Sequence, residues 1–103
     1  MPEFPGGEQE FWNFLSSNMR YPLIAMENNI EGEVVVQFIV EKDGSITDVQ
    51  VVKSVDPSLD KEAVRMVRIM PKWNAGMQQG KPVRVKYIVP IKFTLGSKIK
   101  FRQ

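Results

Sequence analysis

The basic residues Arg84, Lys86 and Lys92 stand at even-numbered positions of one stretch, Lys81 to Leu95, KPVRVKYIVPIKFTL. Between them run Val83, Val85, Tyr87, Val89, Ile91, Phe93 and Leu95, a wholly apolar set. Alternation at period two predicts a strand with one face on a core and the other, basic, in water. Pro90 has no N–H to give to a ladder, and proline in a strand belongs on an edge or at a bulge. The stretch therefore reads as a long edge strand, with a row of free N–H and C=O groups for a partner. The chemistry it offers is backbone pairing, which is binding rather than catalysis. Lysine, arginine and proline on an edge also guard against aggregation, and the residues alone do not separate the two uses.

Catalytic chemistry finds little material here. The chain has no histidine and no cysteine. That removes the commonest general base, histidine-containing triads, thiol catalysis and most zinc sites. No P-loop, dinucleotide fingerprint or G-x-S-x-G is present. No two acids share an apolar setting that would raise a pKa for glycoside chemistry. Asp43 and Asp48 fit no metal spacing and read as turn residues. The reading is no enzyme, no metal and no cofactor. Basic residues on an open sheet face suggest a nucleic-acid module as an alternative. The aromatics such a sheet needs for stacking fall on the apolar face instead, so nucleic acid is not an expected partner.

Composition frames one domain. The 103 residues are 43% hydrophobic and 25% charged, ordinary globular values. The net charge of +2 hides an asymmetry: all 12 acids lie at or before Glu62. No apolar run reaches the length of a membrane span, and no signal-like segment opens the chain. Residues 1–7, MPEFPGG, read as an artificial start or the end of a linker, with the domain proper over 8–103 and its core over 21–95.

The positioning elements follow in order. Glu8 to Met19 has Phe11, Phe14, Leu15 and Trp12 at helical spacing, a short helix ending near Asn18, with Gly6-Gly7 as a flexible lead. Tyr21-Pro22 opens a second short helix with Leu23, Ala25, Met26 and Ile30 inward, ended by Asn28-Asn29 and Gly32. Glu33 to Glu41 is a strand with Val34, Val36, Phe38 and Val40 on one face. Lys42-Asp43-Gly44 makes a hairpin. The return strand, Ser45 to Ser54, slips its alternation, which predicts a bulge near Thr47–Asp48. Asp56-Pro57 caps a helix whose stripe is Leu59, Ala63, Met66, Val67 and Met70. Lys72 to Gly80 is a loop with Trp73. Gly96-Ser97 is a turn that lets Lys98 to Gln103 fold back on the edge. The sum is α+β, in the order α-α-β-β-α-β. It is a three-stranded antiparallel sheet with helices on one face, and the tail makes a short fourth strand.

These residues carry a family resemblance. Tyr21-Pro22 with Ala25 and Gly32 comes first, then EGEVVVQFIVEKDGSITDVQVVKS and Leu59-Asp60-Lys61-Glu62-Ala63. PKWNAG at Pro71 to Gly76 and YIVPIKF at Tyr87 to Phe93 complete the set. In order and spacing they resemble the TonB C-terminal domain family, the periplasmic end of an energy-coupling protein. The lead-in GGEQEFWNFLSSNMRYP is similar to the Bacteroidetes branch. Asn18 stands where better-known members have glutamine, and Ala75 where the loop usually has a second proline.

The resemblance implies a function. Members are anchored in the inner membrane, driven by ExbB–ExbD through regions outside this chain, and reach across the periplasm. They grip the Ton box, an extended peptide of TonB-dependent outer-membrane transporters, as an added strand. By this resemblance the partner-binding edge is Val83, Arg84, Val85, Lys86, Tyr87, Ile88, Val89, Pro90 and Ile91, with further contacts from Asn18, Met19 and Arg20. A second copy of the chain is another partner for the same edge. About five hydrogen bonds at ~1 kcal/mol each give ~5 kcal/mol before association costs, so binding by backbone alone is weak. Arg84, Lys86 and Lys92 would steer an acidic partner. The alternative parent is a membrane-bound sensor peptidase with this domain as an accessory.

Overall fold

The computed structural model describes residues 1–95, and the tail strand expected over Lys98 to Gln103 lies outside the described residues. Helix α1 spans Glu8–Asn18 and α2 spans Leu23–Glu27. Strand β1 (Gly32–Val40) and strand β2 (Ile46–Lys53) are joined by the expected hairpin. Its turn is held by the Asp43 carboxylate, which accepts from the Ser45 N–H at 3.0 Å, and by Gly44 at φ 88°. Helix α3 spans Pro57–Arg68. Asp56 caps it by accepting from the Ser58 N–H, and Pro57 supplies a first turn that needs no donor.

The long C-terminal stretch divides. Strand β3 (Gly76–Gln78) pairs with strand β4 (Lys81–Val83), and strand β5 begins at Val85 and runs to Phe93. The cause is the length of β1. Val40, its last residue, pairs with Val85. Beyond it β1 turns away, and the earlier residues pair with 76–78 instead. Gln79 and Gly80, both at positive φ, close that small hairpin. The loop expected over Lys72 to Gly80 thus holds a strand.

The sheet order is β2-β1-β5, antiparallel throughout. The β1–β5 register is unbroken from Gly32↔Phe93 to Val40↔Val85. On one face Val34, Val36, Phe38, Val40, Val89, Ile91 and Phe93 are buried. They meet the α3 stripe of Leu59, Ala63, Met66 and Val67, with Met70 just past the helix end, all buried as the spacing predicts. Each large side chain so buried is worth roughly 1.5–3 kcal/mol.

One expectation is corrected. Leu23 is 67% exposed; α2 buries Ala25 and leaves Leu23 and Ile24 in water. A one-turn helix can bury only one narrow side, and its smallest residue takes it. The first seven residues pack on the domain: Pro2 and Phe4 are buried, and Glu3 exchanges two backbone hydrogen bonds with Asn74 at 2.9 and 2.7 Å. Phe4 joins Phe11, Trp73, Phe38 and Tyr87 in an aromatic cluster linking this arm, α1, the 72–76 loop, β1 and β5.

Candidate functional site: an open strand edge

Strand β5 has β1 on one side and, among the described residues, no strand on the other. Its side chains obey the predicted alternation. Val89 and Ile91 are buried, while Lys86, Ile88, Pro90 and Lys92 face water. The two faces of a strand are distinct from its two hydrogen-bonding edges. In an antiparallel ladder a residue turns both its N–H and its C=O to one edge, and successive residues alternate. A proline costs such a ladder nothing when its missing N–H belongs to the free side. By that parity Lys86, Ile88 and Lys92 share the outer edge with Pro90, and three N–H groups remain to receive a partner.

The nine candidate residues of the stretch do not all reach this edge. Val85 to Ile91 lie on β5. Val83 belongs to β4 and pairs with Gly76. Arg84 stands between the two strands with its guanidinium on Glu41, Nε donating to Oε1 at 2.7 Å and an outer nitrogen to Oε2 at 3.2 Å. Thr47 Oγ1 donates to the same carboxylate. These hydrogen bonds from Arg84 and Thr47 hold the Glu41 carboxyl below the usual range. Arg84 is therefore not a free cation, and the steering charge expected of it is spent within the domain. Lys86 and Lys92 are exposed and make no ion pair among the described residues.

The segment Asn18–Met19–Arg20 is fixed by α3. Glu62 is buried, although it sits among the polar residues of the helix. Its carboxylate takes the Arg20 N–H at 2.7 Å and a two-pronged pair from Arg65, whose guanidinium also donates to the Asn18 carbonyl at 2.7 Å. Burial works to raise the Glu62 pKa, but Arg65 and the Arg20 N–H outweigh it and hold the carboxyl below its ordinary value. Tyr21 follows, packed edge-on against Phe93 and donating its hydroxyl to the Ile30 carbonyl. Of the three candidates only Met19 is brought to β5, where it lines a cavity with Ile91 and Lys92. Asn18 and Arg20 have their backbone groups tied to α3.

Sequence reasoning missed the wall that faces this edge. A cavity of about 320 Å³ lies between residues 87–90 of β5 and the N-terminal arm with α1. A smaller one of about 210 Å³ continues beside Ile91 and Lys92. Trp12 lines both. The helical spacing of Phe11, Phe14 and Leu15 places an apolar side on α1; nothing in that spacing says what the helix stands beside.

No helix among the described residues is long and apolar enough to cross a membrane, and no group of acids there is placed to hold a metal. The profile of the family described as Gram-negative bacterial TonB protein C-terminal matches residues 17–95. The TonB proteins of two Helicobacter pylori strains are each 48% identical over 54 residues. Those alignments cover 48% of this chain and 19% of each relative, so the chain spans about a fifth of their length. Two solution structures of the Helicobacter pylori TonB C-terminal domain share the fold. The shorter fragment is 32% identical with a TM-score of 0.61, covering 84% of this chain and 91% of its own. The longer is 33% identical with a TM-score of 0.64, covering 88% and 86%. Over most of its length, in sequence and in fold, the chain belongs to the TonB C-terminal domain family.

Proposed function

We propose that this domain takes the Ton box of an outer-membrane transporter as a fourth strand on the outer edge of β5. The observation that carries the reading is the edge itself: an unbroken nine-residue register on one side and no strand among the described residues on the other. Residues Val85 to Ile91 form the pairing surface, with Met19 beside its far end. Val83 and Arg84 leave the set, and Asn18 and Arg20 act by mounting Met19. Backbone pairing reads little sequence, so one domain can serve several transporters. A strand pulled along its length loads its hydrogen bonds together, which suits the transmission of force. In the whole protein that force would come from the inner membrane through ExbB–ExbD, with this domain in the periplasm.

The parity of the edge supplies the test. A Ton-box peptide from a transporter of the same genome is made in two forms, N-methylated at alternate residues in one phase or the other. The methyl groups remove the donors that face β5 in one form and those that face away in the other. Strand addition predicts that one form loses binding and its counterpart keeps it. Equal affinities for the two forms would rule the reading out.

A further inference from the structure

The proposed pairing edge has a second wall beside it. Resting on the strand-addition reading, we infer that the groove between α1 and β5 selects the apolar side chains of the added strand, with Trp12 as the contact that divides it.

Three observations carry this. First, the larger cavity is lined by consecutive strand residues, Tyr87, Ile88, Val89 and Pro90. A hollow over one face of a strand would touch alternate residues; touching consecutive ones places it against the edge. Second, the two cavities lie in line along β5, beside residues 87–90 and then 91–92, with Trp12 at their boundary. A run of that shape fits an extended chain better than a compact ligand. The far wall sets Phe4, Phe11 and Trp12 beside Glu3 and Glu8 along one cavity, and is largely apolar, with Leu15 and Met19, along the other. Trp12 is 42% exposed, unlike Phe11 and Leu15 at 4%, so its ring has surface left to cover. Third, Trp73 lines the larger cavity and packs edge-on against Phe4 and Phe11, so the aromatic surface of the groove continues from the arm to the 72–76 loop.

The occupant is therefore a peptide strand whose side chains alternate, apolar toward α1 and unrestricted toward the open face of the sheet. Backbone pairing supplies the docking, and the groove supplies discrimination. Small side chains on the α1 side leave the cavities unfilled, and acidic ones meet Glu3 and Glu8. This wall lies almost entirely before residue 17, where the family match begins.

The test is a double-mutant cycle between Trp12 and the peptide. The probes are a Ton-box peptide from the same genome and two alanine-substituted copies, one for each face of the strand. Binding is followed on the β5 amides by NMR, with wild-type protein, Trp12→Ala and Trp12→Phe. Because Trp12 is partly exposed, Trp12→Ala should keep the amide spectrum of α3 and β1 unchanged. Trp12→Ala is expected to raise Kd by about tenfold and Trp12→Phe by less than about threefold, the size of one well-buried aromatic contact. Alanine on one peptide face should weaken binding to wild type and matter less with Trp12→Ala. If the β5 amides respond but neither Trp12 nor peptide side chains alter Kd, the groove inference is overturned and strand addition stands. If no peptide moves the β5 amides, the strand-addition reading falls and takes the inference with it.

Discussion

The sheet has two edges, and they are built differently. Strand β5 runs nine residues against β1 without a slip. Strand β2 breaks register twice against the same neighbour, between Val35 and Val36 and between Gln37 and Ile39. Asp48 sits at the second break with φ 52°, a conformation that costs a residue with a Cβ about 1 kcal/mol. Bulges twist an edge out of the plane a new strand would need, and Thr47, Asp48, Gln50 and Lys53 add polar side chains there. One edge is thus guarded and the other left regular. The contrast separates two uses of polar residues that look alike in a sequence. Lysines and a proline lie on β5, yet its ladder is straight, whereas the bulges that block pairing lie on β2.

The comparison can be broken most sharply at Ile88. By parity with Pro90 its N–H faces the free side, so Ile88→Pro removes an outward donor and leaves the β1 ladder whole. Peptide affinity should fall about a hundredfold, near 3 kcal/mol by calorimetry, with thermal stability little changed. A large loss of stability would mean that the parity is reversed. The next effect concerns the mount of the open edge. Glu62→Gln should cost about 2 kcal/mol in urea unfolding, held below the usual cost of a broken buried pair by the partial exposure of Arg65. The same pair sets a pH dependence. A carboxyl with a lowered folded pKa stabilises fully above the unfolded glutamate value of about 4.3. That contribution disappears as pH falls through the lower folded value, and the Gln variant should lack this part of the acid slope.

Smaller changes sharpen the contrast. On the guarded edge Asp48→Gly should relieve the positive φ and raise stability by about 0.5–1 kcal/mol, with no change in peptide binding. A change in binding would mean that the partner uses β2. Lys86→Ala and Lys92→Ala should each weaken an acidic peptide by about two- to threefold at low salt, and by nothing measurable at high salt. The double variant Arg84→Ala with Glu41→Gln should show no such salt-dependent loss, because the two charges already cancel.

What could be read from the residues was what repeats at short range. The alternation from Val34 to Val40 and from Val85 to Phe93 identifies both strands and the face each buries. The slip around Thr47–Asp48 announced its bulge, and Asp56-Pro57 its helix. The small β3–β4 hairpin was hidden because two three-residue strands containing Gln78, Lys81 and Pro82 have no apolar period to detect. Arg84 meeting Glu41 depends on partners 43 residues apart. Glu62 reads as part of a solvated helix face, and only the folded chain brings the Arg20 N–H to it. The candidate site was legible as a strand and not as a groove, since its second wall comes from the arm and α1, at the opposite end of the chain. The family is one of energy-transducing proteins and not of enzymes, in keeping with a site made of backbone and apolar side chains.

The most direct test of the account is to titrate the domain with a Ton-box peptide and compare the amide shifts of the two edges. Strand addition on β5 predicts saturable shifts across Val85 to Phe93 and at Trp12, with Ile46 to Lys53 silent. Shifts concentrated on β2, or spread equally over both edges, would contradict it.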